Sequence, residues 1–415
     1  MIYEKFSRRQ QLTMKWWKLA AFQDKDGIIC DGSIRSGKTL SMAVGFVLWS
    51  MCAYSGQSFA ICGRSIGALR RNVIMHLPGW LEGLFEVAER RGENKLMITL
   101  GDRTNTYYLF GGRDESSYTL IQGMTLAGVL FDEVALMPRS FVEQAMARCS
   151  VAGSKFWFNC NPENPGHWFY QEWIQKANEH HILYLHFTMN DNLSLDAAVR
   201  SRYESMYSGV FYDRYIRGLW RVAEGVIYDM FSPANIYQPG SAPEWLHNTA
   251  ERFIACDYGT ANPMRFLEIW DDGDILWVER EYNWDSRKQQ RQKTDWEYAN
   301  DLQNFMGAQD CAVIIDPTAA SFITELRGRG LYVLAADNAV SDGIRKCATL
   351  FAQRKIRVCS VCTSLLAEIE SYRWDGKAAL RGEEKPLKEN DHSLDALRYM
   401  VNHLADWRVG TDDKA

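Results

Sequence analysis

The motif Gly32-Ser33-Ile34-Arg35-Ser36-Gly37-Lys38-Thr39 determines the architecture expected for the first half of the chain. It fits GxxxxGK[ST], the pattern of a loop whose backbone amides wrap phosphate groups and whose glycines stand where a side chain would collide with them. An apolar stretch precedes the motif and a helical stretch follows it, so the positive end of a helix would point at the bound anion. The motif therefore predicts a nucleotide site formed by all eight residues, with Lys38 on the β- and γ-phosphates and Thr39 on magnesium.

A second apolar stretch supplies the carboxylates that such a site requires. AGVLFDE, residues 127–133, ends in Asp132 and Glu133. Asp132 is expected to hold the magnesium ion through water, and Glu133 is expected to orient or deprotonate the attacking water. An acidic pair at a strand end is often only solvated, but the upstream phosphate loop favours the catalytic interpretation.

A cation must also stabilise the charge that develops on the transferred phosphoryl group. Arg35 lies inside the loop and could act within its own subunit. Arg113 and Arg148 are weaker candidates for acting across a subunit boundary. The residues alone leave the choice among the three arginines open.

Strand and helix patterns alternate along the first half of the chain. Apolar strands are predicted at 27–32, 58–65, 127–133 and 154–162, and a helix follows from Lys38. Apolar strands that alternate with helices are typical of a mostly parallel sheet covered on both faces. The first half is therefore expected to be an α/β domain.

The character of the sequence changes after this part of the chain. Residues 229–250 contain three prolines and few periodic apolar positions, which is typical of a linker. Three strands that resemble a meander follow, and then a helix near 288–305. We therefore predict a first domain at 1–228, a linker at 229–250, a second α/β domain at 251–408 and a tail at 409–415.

Four aspartates of the second domain stand where they could meet. Asp257 and Asp316 each follow an apolar strand, and Asp391 and Asp395 share one face of the last helix. Such a cluster suits two divalent cations about 4 Å apart, and oxygen ligands favour magnesium or manganese over zinc. Each aspartate alone has an ordinary explanation, because a strand-end aspartate often caps a turn and Asp391 could cap the helix.

Composition limits the classes of function. The 415 residues carry a formal net charge of −5, so binding to nucleic acid would have to use local basic patches. Candidate patches are Arg287, Lys288, Arg291 and Lys293; Arg327 and Arg329; and Lys385 and Lys388. A solvated charged face is the ordinary explanation for any one of them. No apolar stretch approaches the roughly 20 residues that span a bilayer, and the charged N-terminus lacks a signal-peptide core, which predicts a cytoplasmic protein.

Several motifs together resemble those of the large terminase subunit family of tailed phages, in particular its prophage-type branch. GSIRSGKT and IQGMTLAGVLFDEVALMP, residues 121–138, resemble the two nucleotide motifs of the family, and FNCNPENPGHWFY, residues 158–170, resembles its coupling motif. The resemblance covers nearly the whole chain. It implies that Asn159 and Asn161 couple hydrolysis to movement and that Gln10 contacts the adenine.

The second domain is similar to the nuclease of the same family, which has a ribonuclease H-like fold. The similar motifs are DYG at Asp257, IDP at Asp316 and DHSLDALRY from Asp391. The resemblance implies a P-loop ATPase domain followed by a ribonuclease H-like nuclease domain. It assigns nuclease catalysis to Asp257, Asp316 and Asp395, with Asp391 and His392 as accessory candidates.

One position departs from the family pattern. Many members carry an arginine shortly before the second nucleotide motif, and it can act on the nucleotide of a neighbouring subunit. This chain has Gln122 there. The identity of its trans-acting arginine is therefore open.

The resemblance implies a DNA-packaging motor joined to a DNA-cutting enzyme. Hydrolysis of ATP with Mg²⁺ would drive double-stranded viral DNA into the procapsid, and the nuclease, with Mg²⁺ or Mn²⁺, would cut concatemeric DNA. The expected partners are the portal protein, a small terminase subunit and further copies of the chain in a ring, expected to be a pentamer. The protein is expected in the host cytoplasm, at the portal vertex during packaging, without a membrane and absent from the mature virion.

Two other functions stay open from the residues. One is a DNA translocase or helicase whose second domain binds DNA without cutting it. Acidic clusters argue against it, because carboxylates near a phosphate backbone repel it unless metal ions intervene. The other is a portal or scaffold component without enzymatic activity, against which the intact phosphate loop argues. ATP turnover without cutting would favour the first, and no turnover even with DNA would favour the second.

Overall fold

The structure is a computed structural model that describes residues 5–207, 209–259, 262–379, 381 and 383–404. The tail predicted at 409–415 and the last residues assigned to the second domain lie outside the described residues. Apart from two short segments, 205–209 and 380–383, the chain forms two compact units whose boundary falls between Val222 and Ala223.

The first unit is built on an eight-stranded sheet. Its strands are, in chain order, β1 (Gly27–Gly32), β2 (Ser58–Gly63), β3 (Glu86–Arg90), β4 (Lys95–Leu100), β5 (Arg103–Gly111), β6 (Gly128–Asp132), β7 (Lys155–Asn159) and β8 (Ile182–Phe187). Across the sheet the order is β3-β4-β5-β2-β6-β7-β1-β8. The pairs β3–β4 and β4–β5 are antiparallel, and the other pairs are parallel. The predicted α/β class with a mostly parallel sheet is confirmed.

Helices cover both faces of this sheet. They are α1 (Arg8–Lys15), α2 (Lys38–Ala53), α3 (Ile66–Leu69), α4 (Leu77–Trp80), α5 (Arg139–Ala147), α6 (Ala197–Met206) and α7 (Gly209–Phe211). Successive side chains of a strand point to opposite faces. Ile28 of β1 accordingly packs in one apolar cluster with Phe46 of α2, whereas Ile29 packs in another with Phe141 of α5. Burial on both faces explains why β1 reads as a continuous apolar run.

The second unit is built on a mixed sheet of seven strands. They are β9 (Ile236–Tyr237), β10 (Glu251–Asp257), β11 (Met264–Asp271), β12 (Leu276–Trp284), β13 (Ala312–Ile315), β14 (Val333–Ala335) and β15 (Ile356–Cys359). Their order across the sheet is β14-β13-β10-β11-β12-β15-β9. Strands β10, β11 and β12 form the predicted antiparallel meander, and β13 and β15 run parallel to β10 and β12. The carboxyl ends of β10, β12 and β13 therefore meet at one edge.

Helices also pack on both faces of the second sheet. They are α8 (Leu246–Thr249), α9 (Asp295–Met306), α10 (Ala320–Gly328), α11 (Val340–Ala352), α12 (Thr363–Ser371), α13 (Gly376–Ala379) and α14 (His392–His403). Tyr298 of α9 and Phe322 of α10 share an apolar cluster with Ile254 of β10. His403 of α14 contacts Phe253, which points to the opposite face. No described helix combines the length and the apolar character that crossing a bilayer requires.

Two local expectations differ from the structure. The segment 229–250, expected to be a linker, contributes β9, which pairs with β15, so these residues are part of the second unit. Tyr237 is buried there, and a strand of two residues between prolines is too short to show a periodic apolar pattern. The helix expected near 288–305 begins only at Asp295, because Thr294 and Glu297 form a capping box that starts α9 there.

Candidate active sites

The phosphate loop connects the carboxyl end of β1 to the amino end of α2, and two of its glycines stand where other residues would clash. Gly32 has a φ of 127°, and a Cβ there would lie 1.9 Å from the carbonyl oxygen of Phe187. Gly37 has a φ of 81°, and a Cβ there would lie 2.2 Å from the side-chain amide nitrogen of Gln10. The structure thus places the loop at the edge of a buried sheet, with the predicted Gln10 directly against it.

Lys38 is buried at the start of α2, and oxygen atoms surround its ammonium group. Its Nζ donates to the carbonyl oxygens of Gly32 at 3.0 Å and Ser33 at 2.6 Å. It also lies 3.3 Å from Oγ of Ser36 and 3.1 Å from Oδ1 of Asn161. Burial lowers the pKa of Lys38 to about 8. The loop therefore holds its own positive charge with protein oxygens, at the place where phosphate oxygens are expected.

Asn159 links the two residues predicted to hold magnesium. Its Nδ2 donates to Oγ1 of Thr39 at 3.0 Å and to Oδ1 of Asp132 at 2.7 Å. Asn159 ends β7, Asp132 ends the neighbouring β6, and the two residues are register partners. Asn161 follows closely and contacts Lys38. Both predicted coupling residues therefore touch a predicted nucleotide-binding residue.

The two residues predicted to catalyse hydrolysis in the first unit have a left-handed backbone. The φ angles are 55° at Arg35 and 59° at Glu133. Such conformations cost non-glycine residues about 1–3 kcal/mol and are concentrated at functional sites. Nε of Arg35 donates to the hydroxyl of Tyr203 at 2.7 Å, and the guanidinium lies 5.2 Å from the centre of that ring. Tyr203 thus holds the predicted catalytic arginine, although no motif indicates it.

A buried carboxylate just before the loop is not among the residues that the motifs predict. Asp31 is fully buried and accepts a hydrogen bond from Nε1 of Trp220 at 2.7 Å. Nδ1 of His186 lies 2.9 Å from its other oxygen. Trp220 also packs against Tyr170, with ring centres 4.8 Å apart. The signal in the sequence is a charged residue inside the apolar run GIICDG, where only a paired carboxylate is tolerated.

Asp257 and Asp316 lie side by side at the carboxyl edge of the second sheet. Asp257 ends β10 and Asp316 directly follows β13, and the residues before them, Cys256 and Ile315, are register partners. The hydroxyl of Tyr399 lies 3.5 Å from Oδ1 of Asp257 and 3.4 Å from Oδ2 of Asp316. The structure therefore brings these two predicted carboxylates together and joins them through one hydroxyl of α14.

The two carboxyl groups have different electrostatic surroundings. Burial raises the pKa of Asp257 above its usual value, although its hydrogen bond with His392, at 2.9 Å, opposes the shift. Burial also acts on Asp316, but hydrogen bonds from Thr318, Asn338 and Tyr399 outweigh it and lower the pKa of that carboxyl. The ionised form of Asp257 is therefore the one that depends more on stabilisation by a nearby positive charge.

Asp391 and Asp395 lie at the start of α14, and basic side chains contact both. Nζ of Lys388 is 3.4 Å from Oδ2 of Asp391 and 3.6 Å from Oδ2 of Asp395. Nη2 of Arg398 donates to Oδ1 of Asp395 at 2.8 Å. The negative charges of Asp395 and Asp391 both raise the pKa of Asp257. The four predicted metal ligands thus lie in one neighbourhood.

The carboxylates of the four aspartates are suitable ligands for divalent cations, although they do not converge on one position. Across the described ranges, no three His, Cys, Asp or Glu side chains are close enough to hold a metal ion. Oδ2 of Asp391 is buried and lacks a hydrogen-bond partner within that part of the chain. The Lys388 ammonium, 3.4 Å away, is a cation that already faces this oxygen, and carboxylate oxygens are the ligands that Mg²⁺ and Mn²⁺ prefer. The residues present therefore fit a site for these metals.

The arginines predicted to act across a subunit boundary and the predicted basic patch do not contribute to the contacts described for either site. Arg113 is exposed, and Arg148 is half-buried at the end of α5. The trans-acting arginine stays unassigned. In the predicted basic patch after β12, Arg291 pairs with Glu297, and Lys293 pairs with Asp301 at 2.5 Å. These pairs lower the charge that the patch offers to a partner.

Comparisons with known proteins agree with this geometry. A family model described as "Terminase large subunit, T4likevirus-type, N-terminal" matches residues 29–232, and one described as "Terminase RNaseH-like domain" matches residues 280–404. The large terminase of a thermophilic bacteriophage has a solved structure with a TM-score of 0.92 and 50% sequence identity, over 97% of this chain and 99% of that one. The complex of that terminase with ATP-gamma-S has a TM-score of 0.88 and 49% identity, over 96% of this chain and 99% of that one.

A curated relative is more distant. The large terminase subunit of Escherichia phage T5 is 27% identical over 295 residues, which are 67% of this chain and 65% of that protein. The chain thus spans just under two thirds of that relative's length. The second family model also confirms the ribonuclease H-like fold predicted for the second domain.

Proposed function

Since the chain belongs to the large terminase subunit family, as its motifs predict, we propose that it uses ATP to move double-stranded viral DNA into a procapsid and cuts concatemeric DNA with a metal-dependent nuclease. The observation that carries the proposal is the presence, in separate units, of a complete phosphate loop and of an aspartate pair at the edge of a ribonuclease H-like sheet. We assign residues 1–228 to the ATPase domain and 251–408 to the nuclease domain, with 229–250 as the connection. Within these bounds, residues 223–250 pack with the second unit, and the connection contributes β9 to its sheet.

In the proposed ATPase site, the loop amides and the amino end of α2 receive the phosphates. Lys38 exchanges its protein oxygens for phosphate oxygens. Thr39 and Asp132 would hold the magnesium ion that accompanies ATP, Glu133 would orient the attacking water, and Arg35 would stabilise the charge of the transferred group. The ATP-gamma-S complex of the thermophilic phage terminase supports nucleotide binding by this chain.

Coupling is proposed to begin at the end of β7. Asn159 bridges Thr39 and Asp132, so a magnesium ion held by those two residues would compete with the hydrogen bonds that Asn159 donates to them. Asn161 must release Lys38 when phosphates take that ammonium. Both changes act on the chain that follows β7, and a nucleotide can shift conformations only through such differential contacts.

In the proposed nuclease site, divalent cations on Asp257, Asp316 and Asp395 would activate a water and steady the leaving oxygen of a phosphodiester. Tyr399 orients the first two carboxylates through its hydroxyl, and His392 holds Asp257. Contacts to DNA fall mainly on phosphates, so cutting has weak sequence preference and decreases with salt.

The proposed partners follow from the family. They are double-stranded viral DNA, the portal protein, a small terminase subunit that selects the DNA, and further copies of the chain in a pentameric ring. The proposed location is the host cytoplasm, at the portal vertex during packaging. A translocase whose second domain binds DNA without cutting it is the alternative, and the adjacent Asp257 and Asp316 argue against it, because two carboxylates would repel a phosphate backbone without metal ions.

The test is to measure two activities on the same preparation. We expect the chain to hydrolyse ATP faster when double-stranded DNA is present, and to cut plasmid DNA with Mg²⁺ or Mn²⁺ but not with a chelator. Turnover without cutting by either metal would favour the pure translocase. Failure to hydrolyse ATP, with or without DNA, would contradict the motor.

ATP affinity is expected to fall as the pH rises above the pKa of Lys38, which is about 8 in the free protein. Phosphate charge raises that pKa, so below it binding needs no proton, and above it binding must take one up. Affinity should then fall by about tenfold per pH unit until the pKa of the bound state is reached. Calorimetric titration with ATP-gamma-S, in buffers of different ionisation enthalpy, measures the proton uptake.

The matched control for this prediction is Lys38→Arg, because arginine stays charged throughout. Binding of ATP-gamma-S by Lys38→Arg, whatever its affinity, should take up no proton at pH values above the pKa of Lys38. Equal uptake by both proteins would assign the proton to another group.

A further inference from the structure

The amino end of α14 is capped by a residue of another helix. Glu368 of α12 is 4% exposed. Its Oε2 accepts hydrogen bonds from the amides of Ser393 at 2.7 Å and Leu394 at 3.0 Å, and its Oε1 accepts one from the Ser393 hydroxyl at 3.0 Å. Amides in the first turn of a helix have no partner within the helix. Glu368 supplies that partner from elsewhere in the chain.

Asp391 occupies the N-cap position of α14 without capping it. Aspartate is among the preferred residues there, because its carboxylate can accept from the second or third amide of the helix. Asp391 makes no such bond, since Glu368 already holds both amides. Asp391 is 5% exposed, and its Oδ2 has no hydrogen-bond partner among the residues that the structure describes, although the Lys388 ammonium lies 3.4 Å away. The structure thus keeps a buried carboxylate that the helix does not need.

Arg265 ties this cap to the strand that carries Asp257. It lies on β11 as the register partner of Asp257. Its Nε donates to Oγ of Ser393 at 3.1 Å, and its Nη2 lies 3.5 Å from Oε1 of Glu368. The cap therefore sets the position of α14 relative to the predicted metal ligand on β10.

We propose that Glu368 is a positioning residue of the nuclease site, which caps α14 in place of Asp391 and so frees the Asp391 carboxylate to bind a divalent cation. The inference rests on the proposed nuclease function and deepens it, because it assigns a role to Asp391 and names the residue that makes Asp391 available. Without Glu368, the amides of the first turn need another acceptor. Asp391 is the nearest residue of the kind that normally caps, and turning towards them removes its carboxylate from the metal.

The test measures Mn²⁺ binding by the full chain in the absence of DNA, by calorimetry or electron paramagnetic resonance. Glu368→Ala should weaken binding by about tenfold or more, as loss of a residue that orients a metal ligand does. Asp391→Asn should weaken it to a similar degree, and the double variant should bind no more weakly than Asp391→Asn alone. Glu370→Ala, which removes an exposed glutamate of the same helix, is the matched control and should bind as the wild type does.

A purely structural role for Glu368 predicts a different result. Thermal unfolding and ATP turnover of each variant show whether the chain is folded. Folded Glu368→Ala that binds Mn²⁺ like the wild type, or losses that add in the double variant, would overturn the inference and leave the nuclease intact. Should Glu368→Ala not fold, Glu368→Met is measured instead, because it keeps a side chain of similar length but has no oxygen for the amides of α14. Weaker binding by Glu368→Met that disappears on the Asp391→Asn background supports the inference, and wild-type binding overturns it.

Failure of the proposed nuclease has its own signature. A wild-type chain that binds no Mn²⁺, or Asp316→Ala that binds it as well as the wild type does, would contradict the metal site itself. Neither result can arise from an error about Glu368 alone.

Discussion

Lys38→Ala is expected to reduce ATP turnover by on the order of 10³-fold, because one preorganised donor at a developing charge contributes about 10²–10³ to kcat and this lysine is the charge that the loop presents. Cutting of DNA with Mn²⁺ should stay at the wild-type rate, since the second sheet and its aspartates form a separate unit. The substitution also removes the ammonium donor from the carbonyl of Gly32, whereas the carbonyl of Ser33 keeps the hydrogen bond from the Ser36 hydroxyl. A buried carbonyl that loses its donor costs about 1–3 kcal/mol of folding stability. ATP hydrolysis and plasmid cleavage are measured on one preparation.

The control for that experiment is Lys15→Ala, which removes an exposed lysine of the same unit and should hydrolyse ATP normally. A thermal melt confirms that both variants are folded at the assay temperature. Loss of cutting together with loss of ATP turnover, in a folded Lys38→Ala protein, would show that the two activities are not separable and would contradict the assignment of two independent sites.

The converse result is expected for Asp316→Ala, which should cut DNA on the order of 10³-fold more slowly while hydrolysing ATP normally. Metal ions stabilise the transition state of hydrolysis by several kcal/mol, and each 1.36 kcal/mol is about a factor of ten in rate. Asp316 is suited to bind a cation, because hydrogen bonds from Thr318, Asn338 and Tyr399 keep its pKa low. The rate of plasmid cleavage with saturating Mn²⁺ is the measurement.

Two variants separate charge from shape at this position. Asp316→Asn keeps an oxygen for the amide of Thr318 but lacks the charge, so it should be nearly as slow as Asp316→Ala. Asp310→Ala removes an exposed aspartate just before β13 and should cut at the wild-type rate. Cutting by Asp316→Asn at the wild-type rate would exclude the carboxylate as a metal ligand.

Local sequence patterns predict most of the first site, because its geometry is set by consecutive residues. The loop from Gly32 to Thr39 follows β1 and opens a helix. Asp132 ends β6, which is separated from β1 only by β7, so the carboxyl edge of the parallel sheet brings them together. The alternation of apolar runs and helices likewise predicts the α/β class. These features depend on spacing along the chain, which the sequence displays directly.

Contacts between distant residues are the part that the patterns miss. Three hydrogen bonds join residues far apart in the chain: Arg35 to Tyr203, Trp220 to Asp31, and the first turn of α14 to Glu368. Which partner satisfies a buried polar group depends on tertiary packing, and many residue types can do it.

Helix capping shows the same limit. Capping preferences allow Asp391 to cap α14, and the structure assigns the cap to Glu368 instead. The segment with β9 was similarly hidden, because two paired residues among prolines leave no periodic signal.

The ammonium of Lys38 has four protein oxygens within hydrogen-bond distance. Binding ATP therefore exchanges one set of oxygen partners for another, and the net gain is smaller than the number of new hydrogen bonds suggests. On release of the phosphates, the same protein oxygens would return to the lysine, so its charge would stay compensated through the proposed cycle. For the proposed DNA motor, a smaller net gain on binding would favour release of the products and so allow many cycles on one DNA molecule.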